Sequence, residues 1–322
     1  AQFVRRRFGK EALEKIAEPM IGGIYSTDLN QLSLQATLPH FLEMERRYGS
    51  VTRGLLAGAG NGVRSGIQQA SGPRYALFVS LRDGMEQMVK ALVERIASEV
   101  LLRRGTEVTR LQFENDRWVV SLTGSEPVRA DYLCLTIPSY AAARLLQLLD
   151  PKLSSELDQI RYESVATVSF AFPRKDVPHP LDGFGFVVPP REKRRIVGCS
   201  FSSVKFPNRA PVGFVLLRAF LGGALDPEIV EMEDGVLEAL VRAELRDLLG
   251  ITAPPSLTAV HRFRQAMPQY EVGHLQRVER IERRVAGWPG LFLIGNAYGG
   301  VGIPDCIHQA EQAAERILGA IG

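Results

Sequence analysis

Leu291-Phe292-Leu293-Ile294, followed by Gly295-Asn296-Ala297-Tyr298-Gly299-Gly300-Val301-Gly302-Ile303-Pro304 and then Asp305-Cys306-Ile307, is the stretch that decides how this 322-residue chain reads. A short apolar run of strand character meets a glycine-rich turn, and a periodic helical pattern follows. Asp305 is a good N-cap residue type, and Ile307, Ala310, Ala314, Ile317 and Ile321 recur at the spacing of one helical face. Glycines let backbone approach a ligand closely, and a helix start presents unpaired N–H groups with about +0.5 of an elementary charge behind them. An electron-rich ligand fits such a place. The turn is not G-x-G-x-x-G, however, and Asp305 at the cap would repel a phosphate dianion, so a polar, partly anionic ring edge suits it better. Glycine-rich turns also lead into capped helices for purely structural reasons, so this segment alone names no function.

Upstream of this unit the pattern is helical from Phe3 to about Gln69, with Phe8, Ala12, Leu13 and Ile16 on one face and Pro19 ending the first helix. Ile21 to Asp28 reads as turn, Pro39 opens a second helix, and Gly54 to Gly72 reads as a flexible connection. Gly58-Ala59-Gly60-Asn61-Gly62 follows no strand and reads as a loop. Gly84 to Ile96 is an amphipathic helix with Met85, Met88, Leu92 and Ile96 together. The period then becomes alternating. Thr106 to Phe113, Trp118 to Leu122 and Tyr132 to Ile137 read as a three-stranded meander. Strands are expected at Val165 to Phe172, Gly185 to Val188, Arg195 to Phe201 and Val212 to Leu221. A helix from Glu228 to Leu249 follows, capped by Asp226-Pro227, with Val236, Leu240, Ala243 and Leu248 apolar.

Apolar residues make up 45% and charged residues 23%, which excludes disordered and fibrous classes. Cys134, Cys199 and Cys306 are far apart, without a CxxC pair, so neither a disulfide framework nor a zinc site is expected, and a reducing cytosolic compartment fits. His40, His179, His261, His274 and His308 show no metal-ligand spacing and make no catalytic triad with Ser or Cys. No catalytic side chain and no metal site is assigned, and each histidine reads as structural or exposed. Cys306 sits at a helix start, where a thiol pKa is lowered, and reads as a packing residue. Net charge is +3, but residues 1 to 80 hold ten Lys/Arg against six Asp/Glu. That excess reads first as a solvated face and second as contact with an anionic membrane surface. No nucleic-acid partner is expected. No apolar run approaches the roughly 20 residues of a spanning helix. Ala1, opening the chain in sequence of mid-helix character, reads as a cut from something longer.

The segment Gly295 to Ile307 resembles the terminal FAD-binding signature of the protoporphyrinogen oxidase family, and other stretches share the likeness. Phe3-Val4-Arg5-Arg6-Arg7-Phe8-Gly9 with Glu18 to Tyr25 resembles that family's helical membrane-binding region, and Ser80 to Met85 its entry into the FAD domain. Asp182 to Pro189 resembles its substrate-domain turn, and Met267 to His274 the loop near the flavin. The similarity runs over essentially the whole chain. It implies a mixed α/β (α+β) fold with an incomplete FAD-binding domain. The parts are a helical membrane-binding lobe at 1–80, an FAD-domain part at 81–145, a mixed-sheet substrate domain at 146–285 and a closing FAD segment at 286–322. Two features of the family are missing from this sequence: the strand with G-x-G-x-x-G and its acidic ribose partner, and the upstream arginine for the substrate carboxylate. Ala310 stands where glycine is usual, and Pro304 where asparagine often stands.

The resemblance further implies the oxygen-dependent oxidation of a porphyrinogen, protoporphyrinogen IX to protoporphyrin IX, with non-covalent FAD as cofactor and dioxygen as electron acceptor. Negative charge near N1 and the C2 carbonyl of reduced flavin is what a helix start would stabilise. Implied cofactor contacts are Val108, through its backbone, and Gly295, Asn296, Gly302, Ile303, Pro304 and Asp305. Phe184, Val187 and Leu221 would wall the macrocycle; for each the plain alternative is ordinary core. A cytoplasmic place, peripheral to the inner membrane face, and a homodimer are also implied. Without a phosphate-binding turn this chain alone is expected to be colourless and inactive. The alternatives are coproporphyrinogen III oxidation, an amine oxidase or desaturase-like flavoenzyme, and a non-catalytic tetrapyrrole-binding module.

Overall fold

The computed structural model describes residues 1–60 and 79–321. Its strands are β1 Val108–Glu114, β2 Arg117–Leu122, β3 Ser125–Ala130, β4 Leu133–Leu135 and β5 Tyr162–Pro173. They continue with β6 Gly185–Val187, β7 Gly198–Phe201, β8 Phe214–Gly222, β9 Leu257–Pro268 and β10 Leu291–Leu293. The chain divides into two compact units. In their described parts, the first takes residues 1–32, 79–91 and 162–267, and the second residues 33–60, 92–161 and 268–321.

The first unit is organised by one sheet in the order β6-β7-β8-β5-β9, in which β6, β7, β8 and β5 pair antiparallel. Side chains alternate between the faces of a strand. Phe170 and Phe172 of β5 and Leu217, Ala219 and Leu221 of β8 therefore share one core, against Leu237, Val241 and Leu245 of the helix Asp234–Leu249. That helix turns its face by one residue from the expected one: Val236 is exposed, and Leu240 and Leu248 are only partly buried. Its start also differs. Asp226 caps nothing but takes the Arg195 Nε–H at 2.8 Å, and a 3₁₀ turn, Pro227–Glu231, precedes the helix proper.

The amino-terminal helix Gln2–Ala12 has a break at Gly9 and runs on as a π-helix, Leu13–Gly22, with Pro19 inside it. Pro19 therefore does not end the helical path. A wider i→i+5 turn absorbs the missing N–H and the ring that an α-helix could not. Leu13 and Ala17 of this turn are buried against Leu29. Ser26 in the left-handed region closes the segment, so the turn begins later than Ile21.

In the second unit, Pro39 opens the helix Pro39–Tyr48 as expected. Val51–Gly60 is also helical rather than a flexible connection or loop, because Gly54 seats against Met44 and packing overrides glycine's low propensity. The rest of the Gly54–Gly72 stretch lies outside the described residues. The meander is β1-β2-β3, and its third strand is Ser125–Ala130. This strand is polar, carries Pro127 and lies at a sheet edge, where proline is tolerated, so it lacks the alternation of a buried strand. Leu133–Leu135 leaves the meander and pairs parallel with β10 (Leu291↔Leu133, Leu293↔Leu135). Trp118, fully buried on β2, packs on Phe113 and Trp288 and donates to the Pro289 carbonyl at 2.9 Å, fixing the chain just before β10. Asp150 caps the helix Pro151–Asp158 and receives Arg284 Nη2 at 2.7 Å and Trp288 Nε1 at 3.4 Å.

Candidate functional site

β10 ends where the Ile294 N–H bonds to the Leu135 carbonyl at 3.0 Å, and the glycine-rich turn follows. The helix after it is Ile303–Ile321. Gly302 stands before it, and Asp305 is its third residue rather than its N-cap. The Asp305 carboxylate reaches back to accept the Gly302 N–H at 3.0 Å, the second half of a capping box. Pro304 suits this place because the first turn asks no N–H of it. The seated side of the helix is Cys306, Gln309, Ala313 and Ile317, while Ile307, Ala310 and Ala314 are exposed, a shift from the expected face. The Cys306 thiol is pushed up, not down, by burial and by the neighbouring Asp305.

Two side chains, Gln309 and Tyr270, brace the turn. Gln309 Oε1 accepts the Gly295 N–H at 3.2 Å, while its Nε2 donates to the Asp305 carbonyl at 3.2 Å. Tyr270 Oη donates to the Asn296 carbonyl at 2.8 Å and accepts the Gly300 N–H at 2.9 Å, spanning the turn from one side to the other. Gly300 has φ 135°, and a Cβ there would lie 2.4 Å from the Asp305 carboxyl, so only glycine fits.

His274 backs this clamp. It starts the helix His274–Val285, is 4% exposed, and stacks on the Tyr270 ring at 4.0 Å between centroids and 16° between planes. The imidazole bonds to the Ala297 and Tyr298 backbone, and its Nε2 has no hydrogen-bond partner. Burial, helped by the Arg277 charge, lowers its pKa to about 4, so the ring is neutral at physiological pH. The sequence had attached Met267 to His274 to this region by resemblance alone. The one local signal was an aromatic and a histidine four residues apart beside a helix start.

Gly295, Asn296, Gly302, Ile303, Pro304 and Asp305 are thus gathered at one turn and one helix start. Val108 belongs to the same unit but to another sheet, on the edge strand β1 at an irregularity in its pairing with β2, where an edge strand has backbone groups to offer. The expected substrate walls lie in the first unit. Phe184 and Val187 are exposed, but Leu221 is 1% exposed inside the core. Period two puts Phe220 on the open face instead. There it shares a row with Val187, Gly198 and Thr167.

The turn fits a polar ring edge: a side chain at Gly295 would meet nothing within 4 Å, leaving open ground before the helix start. From residue 1 to 318 the chain matches the family model of flavin containing amine oxidoreductases. The chain belongs to this family. It is 34% identical over 318 residues to the coproporphyrinogen III oxidase of Bacillus subtilis, covering 98% of this chain and 66% of that one. It is 31% identical over 328 residues to the protoporphyrinogen oxidase of Bos taurus, with coverages of 98% and 68%. This flavin-family chain thus spans about two thirds of the length of these curated relatives. A crystal structure from Exiguobacterium sp. 255-15, assigned as a protoporphyrinogen oxidase, superposes with a TM-score of 0.83 at 31% identity over 98% of this chain and 66% of that one. Reduced UDP-galactopyranose mutase follows the same fold, with a TM-score of 0.71 at 15% identity over 98% of this chain and 67% of that one. The mixed helix-and-sheet architecture is therefore that of the FAD-dependent oxidoreductases.

Proposed function

We propose that this chain serves the flavin-dependent oxidation of a porphyrinogen to a porphyrin, protoporphyrinogen IX being the first substrate and dioxygen the final electron acceptor. The observation that carries the reading is the Tyr270-braced glycine turn entering the Ile303–Ile321 helix, in a chain similar to porphyrinogen oxidases along nearly all its length. Bound FAD would supply the hydride-accepting ring. Gly295, Asn296 and the start of the helix at Gly302, Ile303, Pro304 and Asp305 would hold its polar edge, the helix dipole favouring negative charge there. Val108 would offer backbone bonds to the adenine. Phe184, Val187 and Phe220 present the apolar surface a flat macrocycle needs. Neutral His274 adds no positive charge beside the turn.

Oxidation of coproporphyrinogen III is a second reading, favoured by the 34% identity to the Bacillus subtilis relative. A peripheral contact with an anionic membrane belongs to the same proposal, supported by exposed Arg5, Arg6, Arg7 and Phe8, as do the cytoplasmic side and a homodimer. No helix among the described residues is long and apolar enough to cross a membrane. The activity test replaces the matching 318 residues of the Bacillus subtilis relative by this chain and follows porphyrin fluorescence from each porphyrinogen in air. Fluorescence growing with time is expected. A yellow, folded hybrid that oxidises an amine and neither porphyrinogen would refute the reading. Co-sedimentation with anionic liposomes at low salt tests the membrane contact, and light scattering the dimer.

A further inference from the structure

On the open face of the first unit's sheet lies a cation, Arg218, that no carboxylate among the described residues pairs with. On β8 the residues Leu217, Ala219 and Leu221 enter the core, so Arg218 and Phe220 share the opposite face. Arg218 stands directly opposite Ser169 on β5 and Ser200 on β7, and its Nε donates to Ser169 Oγ at 3.2 Å. The other strand arginines of this sheet, Arg262 and Arg264 on β9, are each paired, with Asp234 and with Glu231. Ser169, 6% exposed, takes the Nε edge of the guanidinium of exposed Arg218, whose two terminal nitrogens are the fork that suits a carboxylate.

The neighbouring row is apolar and flat. Val187, Gly198 and Phe220 lie side by side, Gly198 facing both of its neighbours with no side chain of its own. Arg218 and Phe220 are two residues apart on one strand, about 7 Å along it. A flat apolar ring against Phe220 and over Gly198 would therefore bring a carboxylate on its rim to Arg218. We propose that Arg218 anchors a peripheral carboxylate of the macrocyclic substrate and, by that contact, sets which carboxylated rings the sheet accepts. This rests on the porphyrinogen reading and deepens it. Arg218 is held on a rigid strand, β8.

The test uses the chain itself and two probes, coproporphyrin III and its tetramethyl ester, titrated in one detergent buffer and read by porphyrin fluorescence. The chain is expected to bind the acid at least about tenfold more tightly than the ester, the loss expected for one charge-assisted fork. Arg218→Gln should remove that preference while leaving ester affinity unchanged, and Arg218→Lys, a point charge, should restore only part of it. Arg264→Gln is the control and should change neither affinity. Circular dichroism and the melting temperature of each variant should match the parent, since Arg218 is exposed. Equal loss for acid and ester, or no loss, overturns the role of Arg218 while the porphyrin reading stands. Binding of neither probe by the parent chain overturns both.

Discussion

Replacing His274 by Phe should abolish an acid sensitivity that the parent chain owes to one ring. Phe keeps the stack on Tyr270 and removes the ionisable nitrogens. In the folded chain the imidazole pKa is about 4, against 6.5 for the free side chain. Between those values the unfolded chain binds a proton that the folded one refuses, so stability is full above pH 6.5 and falls as pH drops toward 4. With 1.36 kcal/mol per pKa unit, linkage gives a loss of about 2.5 kcal/mol at pH 4.5 relative to pH 8. Urea unfolding followed by tryptophan fluorescence measures it cleanly. Trp118 and Trp288 are the two tryptophans of the sequence, and both lie in the second unit with His274. Other groups titrate in both proteins, so the variant-minus-parent difference isolates His274. That difference should shift in favour of His274→Phe by about 2.5 kcal/mol on going from pH 8 to pH 4.5. A difference that stays flat across this range would show that His274 is not held neutral, and the account of the clamp would fail.

Tyr270→Phe removes both bonds that brace the glycine turn; it should lower unit stability by about 1–3 kcal/mol, and FAD titration of the hybrid enzyme should show weaker binding at unchanged porphyrin affinity. Arg284→Met leaves Asp150 buried beside Trp288 without its cation and should cost about 3 kcal/mol in urea unfolding. Burial raises the Asp150 pKa, but Arg284, the Leu153 N–H and Trp288 outweigh it and hold it low; the Arg280 hydrogen bond depresses Glu156. Stability from these two carboxylates is present above the normal carboxylate range and lost as pH falls through their folded values, so the parent should lose it on strong acidification and Arg284→Met less steeply. Leu221→Ala should destabilise the first unit by about 2–5 kcal/mol. Phe220→Ala should leave the melting temperature nearly unchanged and weaken porphyrin binding, and the opposite outcome would exchange their faces.

Where residues report on their immediate neighbours, the sequence was a good guide. Pro39 opened its helix, the strand-turn-helix at Leu291 to Ile321 formed, and the period change after Ile96 announced a sheet. Failures arose where tertiary contacts chose between near-equal local options. The helix faces at Asp234–Leu249 and Ile303–Ile321 each rotated by about a residue, because leucine, isoleucine and alanine on adjacent positions make more than one stripe plausible. Pro19 was misplaced because a wider helical turn, stabilised by Leu29 from outside it, absorbs a proline. Ser125–Ala130 was missed because an exposed edge strand needs no apolar alternation. Leu221 came from the resemblance alone, with ordinary core as its plain alternative; the register of β8 against its neighbours turns Leu221 into the core and Phe220 outward. The Tyr270 clamp joins residues that are nearest neighbours only after β4 and β10 have met.

That meeting has a kinetic consequence. Leu133 and Leu291 belong to one parallel pair, yet the whole continuous stretch Tyr162–Met267 of the other unit lies between them in the chain. Closing so long a loop from an unfolded chain carries a large entropic cost, and the cost drops once the intervening stretch has collapsed and drawn its ends together. The sheet of the first unit is therefore expected to fold ahead of the glycine turn. Nascent chains that stop short of Leu291 leave β4 without its partner, with the hydrogen-bonding edge of Leu133–Leu135 exposed to whatever strand reaches it first.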